Sequence, residues 1–280
     1  MSLHTLKRKA RRTVRNALFG IGALEVPRPK PDDCAVAIVS YPKSGRTWMR
    51  ALIGHALVEA LGLPQDSLLD PDVLTAAAGL QRTMLTHDGS DFLPPRDFRK
   101  QPADKSFYRG RVVHFLHRDP RDILVSAWFT ATRRSNVFDG TLSDFIRSPT
   151  LGIRKIARFH KIWVEAAAVP KEFHLVRYEQ LHSDPKTPMR TILSSIGVAI
   201  DDAQLTRALE ASSFARMRQM ETTGDIRIKG RVLVPRDAQD ENSYKTRRGI
   251  VGGYKDYLSK SDIAYVAQVL AEEGNPFAAA

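Results

Sequence analysis

The stretch SYPKSGRTW, residues 40–48, lies between a predicted strand and a predicted helix. Ala35–Ser40 is an apolar, β-branched run, which is typical of a buried strand. From Thr47 to Leu61 the apolar residues recur at the spacing of one helix face, and Gly62 follows as a helix stop. A glycine-containing turn at a helix N-terminus presents free backbone N–H groups and a partial positive charge. The sequence therefore predicts an anion-binding turn at the start of an α/β fold.

The side chains of this turn support the same interpretation. Lys43 supplies a full positive charge, and Ser44 and Thr47 supply hydroxyl donors. The Walker A pattern GxxxxGK[ST] is absent, so a kinase or ATPase site loses its usual support. A P-loop nucleotide kinase is kept only as the alternative enzyme.

Strand-like and helix-like segments continue to alternate downstream of this turn. The alternation predicts a central parallel β-sheet flanked by helices on both faces. The later strands are expected at 112–116 and 173–176, and the later helices at 120–132, 153–168 and 188–196. Residues 222–242 are polar and irregular, which in a compact domain is more typical of a lid or binding segment than of filler.

The composition fits one large α/β domain with a basic surface. The chain has 280 residues, of which 42% are hydrophobic, and its apolar runs are too short to span a bilayer. Cys34 is the single cysteine, so no internal disulfide can form and a cytoplasmic location is expected. The formal net charge of +12 favours an anionic partner, either nucleic acid, acidic lipid or a polyphosphorylated ligand.

Residues 1–33 are expected to form a basic arm and linker ahead of a domain that covers 34–280. Basic residues are dense between Lys7 and Arg15, and no acid precedes Glu25. Apolar residues recur every four positions there, as in an amphipathic helix that lies on an anionic membrane face. A loosely ordered, solvated arm and an organellar presequence are the interpretations that stay open.

A second basic segment, HRDPRD at residues 117–122, closes the strand expected at 112–116. A helix that begins near Pro120 has its proline at the favoured first turn. Ser126 then lies almost two turns along this helix, where it can share an anion with Arg118 at the strand end.

A third basic segment, KTRRGIVGGYKDY, spans residues 245–257. Arg247 and Arg248 are adjacent and precede Gly249. Guanidinium groups offer forked donors to a phosphate, and glycine allows the backbone to approach it closely. The three segments thus predict one polyanionic ligand, since each is suited to a phosphate-like group.

Together the three segments resemble those of sulfotransferases that depend on 3′-phosphoadenosine 5′-phosphosulfate (PAPS). Residues 41–48 match seven of the eight letters of the family's YPKSGTTW loop, with Arg46 in place of the first threonine. Residues 118–126 resemble its RxPxD…S pattern, and the segment from Arg247 resembles its RKGxxGxWK pattern, with Arg248 in place of lysine. The likeness spans residues 41–257 and so covers most of the chain.

The resemblance implies a P-loop-NTPase-like sulfotransferase fold, PAPS as donor, 3′,5′-adenosine bisphosphate (PAP) as product, and no metal. By this likeness the first segment binds the 5′-phosphosulfate, and Arg118 and Ser126 bind the 3′-phosphate. Tyr178 and Phe214 are expected against the adenine, although both could instead be core aromatics. The nucleotide-binding residues that the resemblance implies are Lys43, Ser44, Gly45, Arg46, Thr47, Trp48, Arg118, Ser126, Tyr178, Ser212, Phe214, Arg247, Arg248 and Gly249.

His87 is the candidate general base, with Lys43 as its catalytic partner on the leaving phosphate oxygen. A histidine near its ordinary pKa is suited to remove a proton from an acceptor, and LTH at residues 85–87 resembles the KTH segment of small-molecule sulfotransferases. Leu85 replaces the lysine of that segment, and Arg46 is the cation that could compensate. Asp88 is the alternative base, because carbohydrate sulfotransferases often use a carboxylate.

The acceptor is the least determined part of the prediction. We expect a hydroxyl or amine group on a small molecule, a carbohydrate or a glycolipid, and no nucleic acid. The oligomeric state stays open, a homo-oligomer included. A non-catalytic basic module that binds RNA or membrane on the same fold is the alternative from another functional class.

Overall fold

The computed structural model describes residues 30–92, 95–225 and 227–277. The prediction of a membrane-binding arm therefore lies outside the described residues, except for the 3₁₀ turn Pro31–Asp33. The helices are α1 Arg46–Leu61, α2 Pro71–Ala77, α3 Pro120–Phe129, α4 Leu142–Arg147, α5 Ile153–Glu165, α6 Tyr178–Ser183, α7 Lys186–Ile196, α8 Asp202–Ala211, α9 Phe214–Thr223 and α10 Lys260–Glu272. The strands are β1 Val36–Ser40, β2 Thr83–Thr86, β3 Val112–His117, β4 Glu172–Arg177, β5 Arg227–Ile228 and β6 Arg231–Val232.

The main sheet has four parallel strands in the order β2-β1-β3-β4. Strands β5 and β6 form a separate antiparallel hairpin. The predicted parallel sheet is confirmed. Strand β2 was not predicted, so the strand expected at 173–176 as the third along the chain is the fourth, β4. Thr83–Thr86 is short and carries a threonine at each end, which leaves it without the apolar run that marks β1 and β3.

Helices cover both faces of this sheet, as predicted. Alternate residues of a strand point to opposite faces of the sheet, and all residues of β1 are buried, which means that both faces are covered there. Ala37 and Val39 belong to a core shared with α3, α5 and α10. Val36 and Ile38 belong to a second core shared with α1, α7 and α8. No helix in the described ranges is long and apolar enough to cross a membrane.

Local sequence signals fix the two helices that follow β1 and β3. Helix α1 ends at Leu61, and its C-cap Gly62 adopts the left-handed φ of 65° and donates its N–H to the Val58 carbonyl. Helix α3 begins with Pro120 at its first position, and the Asp119 carboxylate accepts the N–H of Arg121 at 2.8 Å. The helix predicted at 120–132 is α-helical only to Phe129 and continues as a π-helical turn, Thr130–Arg134.

Each strand of the main sheet is followed at its carboxyl end by a residue of the predicted site. Because the strands are parallel, these ends lie along one edge of the sheet. The loop 41–45 follows β1 and His87 follows β2, while Arg118 follows β3 and Tyr178 follows β4. The fold therefore gathers four segments that are distant in sequence at a single edge.

Candidate active site

A cavity of about 440 Å³ opens at this edge. Its walls contain His87 and twelve of the fourteen residues predicted to bind the nucleotide. Ser44 and Ser212 are the two that do not line it. The lining residues are Pro42, Lys43, Gly45, Arg46, Thr47, Trp48, His87, Asp91, Phe92, Arg118, Asp122, Val125, Ser126, Thr130, Arg134, Ser135, Tyr178, His182, Phe214, Met217, Lys245, Thr246, Arg247, Arg248, Gly249, Ile250 and Gly253.

The loop between β1 and α1 needs two residues in the left-handed region. Lys43 has a φ of 75° and Gly45 a φ of 99°. A Cβ on Gly45 would lie 2.7 Å from the Tyr178 ring, so only glycine fits there. Ser44 is fully buried behind the loop, where its hydroxyl has no partner among the described residues. Ser44 is not among the lining residues of the cavity, and its contact with the ligand stays a prediction.

Lys43 sits in a strongly positive environment. Burial, followed by the charges of Lys245, Arg134 and Arg118 in that order, lowers its pKa to about 7. Burial likewise lowers the pKa of Arg46 to about 10, with a contribution from Arg50. These shifts oppose the charged forms, so a polyanion that entered the cavity would relieve the repulsion between them.

Arg118 is held in place by backbone groups of two other segments. Its guanidinium donates to the Lys43 carbonyl at 3.2 Å and to the Ile250 carbonyl at 3.3 Å. It also lies over the Tyr178 ring, with Cζ 4.2 Å from the centroid. Its Nε has no partner among the described residues, so one buried donor is left for a ligand. Ser126, on α3, lines the same cavity.

Asp122 connects the second and third basic segments. This buried carboxylate accepts the N–H groups of Gly252 and Tyr254, both at 2.9 Å, and lies 3.6 Å from the Arg118 guanidinium. The acid of the RxPxD pattern thus fixes the C-terminal loop against α3. Sequence reasoning had not given Asp122 this function, because its partners lie about 130 residues downstream.

The two arginines of the third segment both contact Tyr257. Arg247 and Arg248 donate to its hydroxyl at 2.9 and 3.2 Å, and Arg248 also pairs with Asp256 at 2.7 Å. The buried Nε of Arg247 has no partner among the described residues. Arg247 therefore retains an unused donor in the cavity wall, as Arg118 does.

Three aromatic rings form the remaining wall. Trp48 packs edge-on against Tyr178 with the ring centroids 5.5 Å apart, and its indole N–H donates to the Ser212 carbonyl at 2.9 Å. A Cβ on Gly249 would lie 2.4 Å from the Phe214 ring, so glycine is required for this ring to pack. Ser212 is not a lining residue: its carbonyl supports Trp48, and its hydroxyl donates to the Ala208 carbonyl.

His87 lines the cavity, and one of its ring nitrogens has no hydrogen-bond partner among the described residues. Its Nδ1 lies 2.8 Å from the Ser40 carbonyl, which can only accept, so Nδ1 carries the proton. Nε2 is then the unprotonated nitrogen of the neutral ring. Burial, followed by the charge of Arg46, holds the pKa of His87 well below its usual value. The ring is therefore neutral at physiological pH and can accept a proton.

The carboxylate of Asp88, the alternative base, is bound by three side chains. Its carboxylate accepts the Tyr108 hydroxyl at 2.8 Å and the Trp163 indole N–H at 3.1 Å, and it pairs with Lys105 at 2.7 Å. It is also missing from the cavity wall. With three partners already engaged, Asp88 is a poor candidate for proton transfer.

Two cavity cations were given no role at the nucleotide site by the sequence, although Lys245 belongs to the third basic segment and Arg134 hinted at an acidic or sugar-like acceptor. Arg134 lies at the end of the π-helical turn, and Lys245 opens the third basic segment. Arg134 forms an ion pair with Glu221, a fully buried residue of α9, and the backbone N–H of Lys245 donates to the same carboxylate. The π turn has no compositional signal, so the sequence could not place Arg134 in this wall. No group of three or more potential metal ligands occurs among residues 30–92, 95–225 and 227–277.

Comparisons with known proteins agree with this geometry. The family model described as sulfotransferase domain matches residues 101–274. The chain is 23% identical to cytosolic sulfotransferase 3 of Arabidopsis thaliana, over 87% of this chain and 78% of that protein. It is 26% identical to sulfotransferase 1C2 of the rabbit, Oryctolagus cuniculus, over 85% of this chain and 81% of that protein.

Solved structures show the same fold. The mouse sulfotransferase SULT7A1, complexed with PAP, superposes with a TM-score of 0.59 at 18% identity, over 88% of this chain and 85% of that chain. Retinol dehydratase, in complex with androsterone and inactive cofactor PAP, gives a TM-score of 0.55 at 16% identity, over 95% and 86%. Because the family model matches more than half of the chain, this protein belongs to the sulfotransferase domain family and is a PAPS-dependent sulfotransferase.

Proposed function

We propose that the cavity binds PAPS along the carboxyl edge of the sheet and transfers its sulfuryl group to a hydroxyl or amine acceptor held beside His87. The observation that carries this proposal is that His87, whose Nε2 has no partner among the described residues, lines the same cavity as Lys43 and the anion-binding turn. A base and a cation for the leaving group thus lie in one space.

In this proposal Lys43, Gly45, Arg46 and Thr47 hold the 5′-phosphosulfate. The N-terminus of α1 adds its backbone N–H groups and partial positive charge. The depressed pKa of Lys43 supports an anionic ligand, because an anion restores the charged form of the amine.

The 3′-phosphate is assigned to Arg118, Ser126, Arg247 and Arg248. The unpartnered Nε atoms of Arg118 and Arg247 support this assignment, since a buried donor without a partner is costly unless a ligand satisfies it. The adenine is assigned to the wall formed by Trp48, Tyr178 and Phe214.

The reaction balances with one proton transfer. The acceptor oxygen or nitrogen bonds to sulfur as the bond from sulfur to the 5′-phosphate oxygen breaks in line. His87 Nε2 takes the acceptor's proton, and Lys43 stabilises the negative charge that develops on the leaving oxygen. The products are the sulfated acceptor and PAP.

This site indicates a broad class of acceptor and no single compound. A small molecule, a carbohydrate or a glycolipid that carries a free hydroxyl or amine fits a proton-accepting histidine. A cytoplasmic location is part of the proposal, supported by the cytosolic sulfotransferase among the relatives. Contact of the basic arm with a membrane stays a prediction.

Calorimetric titration with PAP tests the nucleotide assignment. The wild type should bind PAP, and Lys43→Ala and Arg118→Ala should each weaken binding about tenfold or more, the size expected for a lost charge-assisted hydrogen bond. Lys260→Met is the matched control, because this exposed lysine lies on α10 and outside the cavity wall. A well-folded wild type that does not bind PAP would overturn the proposal.

A further inference from the structure

Lys245 lines the cavity together with Lys43 and His87, yet none of the nucleotide assignments above uses it. Its side chain is open to the cavity solvent. Leu85, which stands where the resembling segment carries a lysine, is buried in the core beside α1 and contributes no charge. The reacting end of the cavity therefore receives a cation from the C-terminal loop and none from β2.

The backbone of Lys245 is fixed by Glu221. The Glu221 carboxylate accepts the N–H of Lys245 at 2.6 Å with one oxygen and the N–H of Thr246 at 2.7 Å with the other. Arg134 lies 3.4 Å from the first oxygen and also donates to the Ser243 carbonyl at 2.9 Å. Because Glu221 is fully buried, these contacts form a rigid anchor below the lysine.

The charge of Lys245 affects both groups assigned to the chemistry. After burial itself, its charge is the largest cause of the lowered pKa of Lys43. It also contributes to the lowered pKa of His87, after burial and Arg46. Lys245 thus acts on both the cation assigned to the leaving group and the base assigned to the acceptor.

We propose that Lys245 is a further catalytic residue whose ammonium contacts the sulfuryl group of PAPS as it passes from the leaving oxygen to the acceptor, and that Glu221 is its positioning residue. This inference rests on the proposed function of the same cavity. Burial, followed by the charge of Arg46, lowers the pKa of Lys245 to about 8, so the amine is mostly protonated at pH 7 and an anionic ligand favours this charged form. The ammonium donates to sulfuryl oxygens, while the proton released by the acceptor goes to His87. Its charge balances the negative charge that spreads over the sulfuryl and leaving oxygens.

Comparison of PAPS and PAP binding tests the inference without an identified acceptor. The two ligands differ by the sulfuryl group, so a residue that contacts this group affects PAPS binding more than PAP binding. Calorimetric titrations of wild type, Lys245→Met and Lys245→Arg with each nucleotide are the measurement, with Lys260→Met as control. We expect Lys245→Met to weaken PAPS binding about tenfold more than PAP binding, and Lys245→Arg to restore most of this difference.

The other outcomes separate the two proposals. Equal weakening of both nucleotides, or no change in either, would overturn the role of Lys245 and leave the proposed function standing. A wild type that binds neither nucleotide would instead refute the proposed function itself.

Glu221→Gln tests the positioning role. The variant keeps the size of the side chain and one strong acceptor but removes its charge, so Lys245 and Arg134 are held less firmly. We expect the preference for PAPS over PAP to fall by an intermediate amount, with normal thermal unfolding as the check on folding. An unchanged preference would assign Glu221 a structural role only.

Discussion

At the scale of single residues, the surroundings lower the pKa of both groups assigned to the chemistry. His87 and Lys43 both have lowered pKa values, first because burial disfavours their charged forms and then because of nearby cations. For His87 the result is a neutral ring with Nε2 free to accept a proton. For Lys43 the result is an amine whose charge depends on the anion that it binds.

Replacement of His87 by asparagine should separate chemistry from binding. Loss of the proton acceptor is expected to lower kcat about 10²- to 10⁴-fold, while PAP affinity stays the same because the nucleotide contacts remain. PAP release from PAPS in the presence of an accepted hydroxyl compound is the measurement. His174→Asn, on β4 and outside the cavity wall, is the control. A near-wild-type rate for His87→Asn would remove this histidine from the mechanism.

Binding of PAP should take up protons at pH 8. The lowered pKa of Lys43, about 7, leaves the free amine mostly neutral there, and the phosphate group raises the pKa in the complex. Affinity for PAP should therefore fall as the pH rises above 7. Calorimetry in buffers of different ionisation enthalpy measures the uptake, which we expect to approach about one proton from this residue.

Lys43→Arg is the matched variant for this measurement. Arginine keeps the positive charge but stays protonated at pH 8, so proton uptake should decrease while PAP still binds. Uptake that is equal in wild type and Lys43→Arg would show that Lys43 is not the titrating group.

At the scale of elements, the C-terminal loop and α9 depend on a glycine. Gly249 has a φ of 64°, and a Cβ there would meet the Phe214 ring at 2.4 Å. Gly249→Ala should lower the free energy of unfolding by the left-handed backbone cost, roughly 1–2 kcal/mol, and also displace Phe214. PAP affinity should fall with it.

Gly62→Ala is the control for the backbone cost alone. Gly62 has nearly the same φ, 65°, and no atom lies within 4 Å of a Cβ built there. Urea unfolding and PAP titration of both variants are the measurements. If Gly62→Ala lowered PAP affinity as much as Gly249→Ala does, the contact with Phe214 would not be the cause.

Whether a helix or strand could be predicted from the sequence depends on the strength of its local sequence pattern. β1 and β3 are apolar runs, and Asp119 with Pro120 marks the start of α3, so these were predicted within a residue or two. β2 was missed because Thr83–Thr86 is short and mixed in character, although His87 at its end was identified by resemblance. The π-helical turn was missed because no residue type distinguishes it from an α-helix.

At the scale of the whole molecule, the site depends on contacts between distant parts of the chain. Asp122 anchors Gly252 and Tyr254, and Glu221 anchors Lys245, through side chain to backbone hydrogen bonds that no short motif records. The sequence could therefore identify most of the residues that carry the predicted contacts, but not the contacts that hold the cavity wall together. Ser44 and Ser212 show the converse, since both lie within resembling motifs and yet neither lines the cavity.

The central claim is that this cavity binds PAP in one orientation along the carboxyl edge of the sheet. A crystal structure of the wild type with PAP tests it most directly. The account predicts the 5′-phosphate at Lys43, Gly45 and Thr47, and the 3′-phosphate at Arg118 and Ser126. PAP bound in the reverse orientation, or at another surface, would contradict the account.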